Sequence, residues 1–199
     1  FGFDIDIKTE ICRRIHHTCT YSPMVFNKLF SALKAEKIDL AVAAIIITQS
    51  REEEFLFSLP YLASNAQFMT LNKSAISSAK DLAQKNIGTR IGTPFKDLAE
   101  DLYGDKIHIQ DVPDVPDLLE GLNNKSLDAV LMDEEAAQNW HANNNKIYKL
   151  IGSPIPVGNG YGIMANLYEH KLLSEINEAL LSMQSDGTYV NIYSRYFTD

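Results

Sequence analysis

The chain lacks the features that mark a membrane protein, a nucleic-acid-binding protein or a common type of enzyme. No apolar run approaches the ~20 residues that a membrane-spanning helix needs. The 18 basic and 26 acidic residues give a net charge of −8, which argues against a polyanionic partner. P-loop, GxGxxG, GxSxG and HExxH motifs are absent, and the five histidines are scattered. We therefore predict no cofactor, no metal site and no nucleic-acid partner.

Cysteine is scarce, and its spacing limits what it can do. Cys12 and Cys19 form no CxxC pair, and only His16 and His17 lie nearby, so a zinc site is disfavoured. A helix that ends near His17 would bring the two sulfurs to one corner. We favour a short structural disulfide, which indicates an oxidising compartment. Two unpaired buried thiols are the alternative.

The length and amino-acid composition of the chain are those of an ordinary globular protein. It has 199 residues, of which 45% are hydrophobic and 22% charged, so it can form one domain or two small lobes. It opens on FGFDIDI, with neither a Met nor a signal peptide. We expect further residues, including a signal peptide, to precede Phe1.

Apolar periodicity predicts helices and strands that alternate along the chain. The predicted helices span about 5–17, 26–35, 78–84, 95–103, 115–123, 134–143, 172–184 and 189–196. The predicted strands are the end of one strand in 1–7, and 19–21, 39–46, 66–71, 86–90, 107–109, 127–132, 148–151 and 161–165. This order is typical of an α/β fold with mainly parallel sheets flanked by helices.

The chain is predicted to leave one lobe, build a second and return. Lobe one comprises 1–67 and 162–199, and lobe two comprises 68–161. Two extended crossings, near 67–71 and 156–163, would act as a hinge. Because clefts between domains are preferred sites for small ligands, we expect the ligand there.

The stretch Lys37–Arg51 places an arginine directly after an apolar run. Leu40–Ile47 carries no charge, which favours a buried strand that ends at Thr48. Ligands of open α/β sheets bind beyond the carboxyl ends of the strands, and arginine can hold a carboxylate with two parallel hydrogen bonds. Arg51 is therefore a candidate carboxylate ligand. The alternative is an ordinary ion pair with the neighbouring Glu52–Glu54.

Two further features suit the same cleft. The segment from Arg90 to Thr93 leads into a helix, with Thr93 as the expected N-cap and Pro94 at the first helical position. The free N–H groups of such a helix favour an anion. Asp133 ends an apolar strand and could receive an ammonium group. Together these residues match a zwitterion, although Thr93 and Asp133 could each serve only as helix caps.

These residues occur in a pattern that resembles the periplasmic amino-acid-binding proteins of ABC uptake systems, close to the arginine-binding and lysine/arginine/ornithine/histidine-binding members. The resemblance covers almost the whole chain. It is carried by GFDIDI at 2–7, the Cys12-x₆-Cys19 spacing, Phe26-x₂-Leu29-x₃-Leu33 with KIDLAVAAIIIT and Arg51, IGTRIGTPF at 87–95, LDAVLMDE at 127–134 and SDGTYVNIYSRYF at 185–197.

The resemblance implies a role for each candidate site residue. Arg51 would hold the α-carboxylate of an amino acid, Asp133 its α-ammonium, and Thr93 would assist at the carboxylate. Backbone groups of Ala44 and Ile46 would complete the contacts, with Arg90 beside the ligand side chain. The Cys12–Cys19 spacing is that of the disulfide in the basic-amino-acid subgroup.

The sequence also departs from the family pattern at five positions, and the family's N-terminal segment, with its first strand, is not in this sequence. Ala43, Ala44 and Ile46 replace small polar residues, and Pro94 replaces a residue that carries an N–H. Arg90 stands where members often carry an uncharged residue.

The resemblance implies a two-lobed periplasmic protein that binds a free amino acid, foremost arginine or a related basic one, and delivers it to an ABC permease by lobe closure. It is not expected to be an enzyme. One alternative is a dehydratase-like enzyme on the same scaffold, for which Glu134 and His141 are the available acid/base candidates. Another is the ligand-sensing domain of a larger receptor.

Overall fold

A computed structural model describes residues 2–197 of the chain. It divides into two compact units. Unit one contains the chain up to Met24, Lys28–Ala63 and the chain from Asn159 onward, and unit two contains Val25–Asn27 and Ser64–Gly158. The units change over at Ala63 and Gly158, whereas the predicted lobes change over at residues 67 and 161. The excursion of Val25–Asn27 into unit two was not predicted.

The described residues form helices and strands that alternate for most of the chain. The helices are α1 (Gly2–Arg14), α2 (Lys28–Lys34), α3 (Gln49–Glu52), α4 (Phe95–Tyr103), α5 (Val115–Asn123), α6 (Glu134–Asn143), α7 (His170–Ser185) and α8 (Thr188–Tyr193). The strands are β1 (Leu56–Phe57), β2 (Asn65–Leu71), β3 (Asn86–Arg90), β4 (His108–Val112), β5 (Ala129–Asp133), β6 (Tyr148–Pro156) and β7 (Met164–Ala165). Short 3₁₀ turns lie at Ala79–Leu82 and Gly104–Lys106.

Unit two is built on a five-stranded mixed sheet. Its strand order is β4-β3-β5-β2-β6, with β3 parallel to both β4 and β5, and β2 antiparallel to β5 and β6. The predicted α/β architecture is confirmed, although the sheet is mixed. Because β3 and β5 are adjacent and parallel, their carboxyl ends lie at the same edge of the sheet. Every residue of β5 is buried, as its unbroken apolar sequence predicts.

Helices and strands of unit two share a close-packed core. α5 begins where its sequence predicts, with the Asp114 side chain accepting from the Asp117 N–H at 3.2 Å and a proline in its first turn. Gly88 in β3 is needed because a Cβ there would lie 2.5 Å from Cδ1 of Leu127. The core side chains are Met69, Leu118, Leu119, Leu122, Leu127, Val130, Met132, Ala137 and Tyr148.

Unit one has much less regular sheet. β1 and β7 form a two-stranded antiparallel ladder, and isolated bridges join Ala41 to Met164 and Ile46 to Tyr161. The predicted strand at 39–46 is therefore wrong. The physical reason is local and tertiary: Ala44 adopts a left-handed φ of 51°, which interrupts an extended backbone, and only single bridges pair the segment.

The N-terminal prediction also needs correction. A helix begins at Gly2 instead of a strand end, and Phe1 lies outside the described residues. Phe3, Ile7 and Ile11 are buried at four-residue spacing, so the helical period determines the structure of FGFDIDI. The predicted strand at 19–21 is irregular backbone. A disulfide joins Cys12 to Cys19, as preferred from the sequence.

An aromatic cluster joins the start of α1 to the last helix. The Phe3 ring lies 6.1 Å from that of Tyr189 and 5.2 Å from that of Phe197, both edge-on.

Next to Phe3, the buried Asp4 carboxylate accepts a hydrogen bond of 2.6 Å from the Tyr61 hydroxyl. Burial raises the pKa of Asp4 above its ordinary value of 3.8, and the Tyr61 hydrogen bond partly opposes that rise.

Among the helices of residues 2–197, none has both the length and the apolar character needed to cross a bilayer.

Candidate functional site

In unit one, the candidate residue Arg51 is held in a defined position. It lies in the one-turn helix α3, whose N-cap residue Thr48 accepts from the Arg51 N–H through its side chain at 3.3 Å. One guanidinium nitrogen, Nη1, donates to the carbonyl of Ile46 at 2.6 Å. The guanidinium carbon also lies 5.1 Å from the centre of the Phe30 ring. A planar cation held on two sides in this way loses little freedom when it receives a carboxylate.

The backbone before Arg51 has the irregular form expected at a ligand site. The Ile47 N–H donates to the Gly160 carbonyl at 2.8 Å, and the Gly162 N–H donates to the Ile45 carbonyl at 3.0 Å. In the part of the chain that the structure describes, the hydrogen bonds to the 159–165 segment skip residues 42–44. Ala44, at the end of that gap, has the positive φ of 51°. Strained backbone of this kind concentrates at binding sites.

In unit two, two candidates meet at one edge of the sheet. Arg90 is the last residue of β3 and Asp133 the last of β5, so adjacent parallel strands bring them together. Nη2 of Arg90 lies 3.3 Å from Oδ2 of Asp133, with side-chain exposures of 19% and 9%. The Asp133 side chain makes no capping hydrogen bond to α6, although Asp133 occupies the N-cap position. The interpretation of Asp133 as a mere helix cap is therefore wrong.

Thr93 lies in the turn that follows Arg90, but it does not cap helix α4 as predicted. Pro94 is the residue at the N-cap of α4, and the Thr93 hydroxyl donates to the Arg90 carbonyl at 2.6 Å. The Thr93 N–H points to the same carbonyl at 3.2 Å, and Gly92 takes a φ of 87° between them. The predicted N-cap at Thr93 is wrong because the hydroxyl closes the turn backward instead of capping the helix. Its role toward a ligand stays a prediction.

Phe26 contacts one of the candidate residues, and the sequence did not reveal this contact. The sequence predicts a helix at 26–35 that would include Phe26, but α2 begins only at Lys28. Phe26 instead belongs to unit two, where the guanidinium carbon of Arg90 lies 4.5 Å from the centre of its ring. The side chain is 7% exposed. A cation on an aromatic face depends on two distant parts of the chain, and no local pattern signals it.

Of the two residues offered for enzyme chemistry, Glu134 is engaged in other interactions. The two carboxylate oxygens of Glu134 accept from the side-chain amides of Asn65, at 2.9 Å, and Gln138, at 3.1 Å. His141 lies in the last turn of the same helix, α6. Across residues 2–197 there is no group of three or more histidine, cysteine or acidic side chains placed to hold a metal ion.

Comparison with known proteins gives one consistent result. The family model for bacterial extracellular solute-binding proteins, family 3, matches residues 1–199. A putative ABC transporter arginine-binding protein 2 from Escherichia coli (strain K12) is 29% identical over 202 residues, covering 98% of this chain and 81% of the relative.

Solved structures agree with that result. An arginine 3rd transport system periplasmic binding protein from Legionella pneumophila is 45% identical, with a TM-score of 0.95, covering 99% of this chain and 89% of the other. An ancestral arginine-binding protein bound to arginine is 29% identical, with a TM-score of 0.90, covering 98% and 88%. The expected periplasmic-binding-protein fold is therefore confirmed. The chain belongs to the bacterial extracellular solute-binding proteins of family 3.

Proposed function

We propose that this protein binds a free amino acid, foremost arginine or a related basic one. Arg51 receives the α-carboxylate and Asp133 the α-ammonium. The backbone of Ala44 and Ile46 and the Thr93 segment complete the contacts to the ligand. The relatives named above for arginine support this choice of ligand.

The observation that carries the proposal is the pair of opposite charges, one prepared in each unit. Arg51 is fixed by the Ile46 carbonyl and the Phe30 ring, so its planar guanidinium is held in one position in which it can receive a carboxylate. Asp133 is buried and does not cap its helix, and its carboxylate already lies beside the Arg90 guanidinium, which shows that it accepts a cationic partner. A free α-amino acid carries both complementary groups a short distance apart.

Binding is proposed to favour a closed arrangement of the two units. Each unit supplies only one of the two charges, so a ligand that contacts both binds the closed state better than the open one. The connections at residues 63–64 and 158–159 are the proposed hinge. No enzymatic step is part of this function.

The cellular role follows from the same assignment. We infer that the protein works in the periplasm and delivers its amino acid to the membrane permease of an ABC transporter. The Cys12–Cys19 disulfide suits an oxidising compartment of this kind. The curated relative with an ABC transporter name supports the choice of partner.

Calorimetry and thermal shift with arginine, lysine, ornithine, histidine, glutamine and glutamate test the function. A ligand at about 100 times its dissociation constant should stabilise the protein by about 2.7 kcal/mol. Two arginine analogues serve as matched controls, since agmatine lacks only the α-carboxylate and 5-guanidinopentanoate lacks only the α-amino group. Both should bind far more weakly than arginine. Binding of agmatine as tight as that of arginine would exclude the role of Arg51, and no binding of any amino acid would exclude the function.

A further inference from the structure

Unit two already contains a cation at the place where its acidic and aromatic side chains meet. The Arg90 guanidinium carbon lies 4.5 Å from the Phe26 ring centre, and Nη2 lies 3.3 Å from the Asp133 carboxylate. All three groups belong to the same unit, so the arrangement does not depend on how the units are placed. The guanidinium is mostly shielded, with 19% of the side chain exposed.

An acid beside an aromatic face is the environment that receives cationic side chains. Aromatic rings attract guanidinium and ammonium groups through their negative faces, and a shielded carboxylate adds a charge-assisted hydrogen bond. Here the protein's own arginine occupies that environment. A ligand with a cationic side chain would have to displace Arg90 or lie beside it, and like charges at close range repel each other strongly where water is partly excluded.

We infer that Arg90 is a specificity-determining residue: by occupying Phe26 and Asp133 itself, it makes the preference for cationic over neutral side chains smaller than it would be in the same site without this charge. This inference rests on the proposed function, because Asp133 is also the proposed partner of the ligand ammonium. Arg90 reduces the negative charge that Asp133 presents to any ligand. A basic amino acid carries two cationic groups, the α-ammonium and the side chain, and the charge of Arg90 weakens the binding of both. Glutamine carries only the α-ammonium, so its binding is weakened less. The side-chain carboxylate of glutamate is attracted by Arg90.

The test compares affinities for arginine, glutamine and glutamate in the wild-type protein and in Arg90→Met. Methionine keeps an unbranched stem against Phe26 but removes the charge. We expect the ratio of arginine affinity to glutamine affinity to rise about tenfold or more, since removing a close like charge is worth at least one power of ten in binding. The affinity for glutamate should fall relative to glutamine.

Lys85→Met is the matched control. Lys85 is exposed and lies directly before β3, while Arg90 ends that strand, so about 16 Å of extended chain separates them. Both substitutions remove one positive charge, but a charge at that distance is screened at physiological salt. The affinity ratios of Lys85→Met should equal those of the wild-type protein.

Arg90→Lys separates charge from shape. It keeps the positive charge but loses the planar fork, so it should retain most of the discrimination. If Arg90→Met folds poorly, Arg90→Gln takes its place as the variant without the positive charge. Its selectivity is then compared with those of the wild-type protein and Arg90→Lys.

An unchanged arginine-to-glutamine ratio in a folded, amino-acid-binding Arg90→Met or Arg90→Gln protein would overturn the inference and leave the proposed function intact. A loss of affinity for all three ligands by the same factor would also overturn it, since Arg90 would then be a general contact. No binding by the wild-type protein would instead overturn the proposed function.

Discussion

The two units hold their proposed ligand-binding charges by different means. In unit two, Arg90 and Asp133 end adjacent parallel strands, and the whole five-stranded sheet fixes their separation. In unit one, Arg51 follows an irregular segment and sits on a one-turn helix, fixed by a few specific contacts. A regular sheet therefore positions one half of the site, and local backbone geometry positions the other.

The comparison shows that an apolar run need not form a strand to place a polar residue at its end. Ala129–Asp133 pairs on both sides and becomes β5. The apolar run before Thr48 has isolated bridges at Ala41 and Ile46, yet it is still anchored to the segment around Gly160. In unit two the charged residue ends the buried run, whereas in unit one Thr48 follows the run directly and Arg51 comes three residues later.

Arg51→Ala should produce the largest effect, because it removes the charge that unit one contributes. We expect binding of arginine to weaken by ~2–4 kcal/mol, since a shielded carboxylate loses its charged partner. Calorimetry measures the loss. Arg13→Ala is the control in the same unit, because its side chain is 70% exposed and pairs with Glu10 on the same helix. Equal affinities of Arg51→Ala and wild-type protein would contradict the site in unit one.

Gly88→Ala tests how closely the sheet that carries Arg90 and Asp133 is packed against its neighbours. The added Cβ would lie 2.5 Å from Cδ1 of Leu127 and 2.9 Å from Cδ2 of Leu118, so β3 or its neighbours must shift. Overpacking of this kind costs ~1–3 kcal/mol of unfolding free energy, which urea denaturation measures.

The matched control for Gly88→Ala is the same change in a Leu127→Ala background. The loss should be smaller there, because the side chain that the new methyl group meets has been shortened. An identical loss in both backgrounds would show that contact with Leu127 is not the cause.

Ala44→Gly tests the irregular segment of unit one. The left-handed φ of 51° is unfavourable for alanine and free of steric cost for glycine. The substitution should stabilise the folded chain by about 0.5–1 kcal/mol in urea denaturation. Ala43→Gly, at a position without a positive φ, should instead destabilise it by a similar amount. The same sign for both substitutions would mean that backbone strain at Ala44 is unimportant.

Asp4→Asn, in unit one, should give the smallest effect, which is a change in how the stability of the protein depends on pH. Burial raises the pKa of Asp4 in the folded protein above 3.8, so the folded state binds this proton more tightly than the unfolded state. Stability of the wild-type protein relative to Asp4→Asn should therefore be greatest below pH 3.8 and fall as pH rises through the folded-state pKa. Asparagine retains an acceptor for the Tyr61 hydroxyl.

Denaturation of the two proteins between about pH 3 and pH 7 measures this difference. A constant difference in stability across that range would show that Asp4 titrates alike in the folded and unfolded chains. A difference that grows in favour of the wild-type protein with rising pH would mean that the Tyr61 hydrogen bond outweighs burial.

Elements with strong local signals were predicted with the bounds that the structure shows. β3 occupies Asn86–Arg90, and α5 occupies Val115–Asn123 between its Asp114 cap and Asn124. Apolar burial and turn residues determine such segments locally. The predicted strand at 39–46 failed because a strand requires continuous partners, and the sequence of the segment does not encode their presence.

In the candidate site, too, features with a local signal were predicted and a contact between distant residues was missed. Arg51 and Asp133 were found as polar residues at the ends of apolar runs, a pattern visible in the sequence alone. Their roles toward a ligand stay predictions. Phe26 was missed because its contact with Arg90 joins residues far apart in the chain, and its position before α2 made it look like part of that helix.

The sequence by itself determined the α/β class, the family, the bounds of α4, α5 and α6, and the charged residues that follow apolar runs. Side-chain periodicity and capping act over a few residues, so they can be recognised locally. The tertiary structure alone decided that Lys37–Arg51 contains no regular strand and that Val25–Asn27 joins unit two. It also decided that Arg90 lies between Phe26 and Asp133, because the pairing of strands and the stacking of a cation depend on which distant segments the fold brings together.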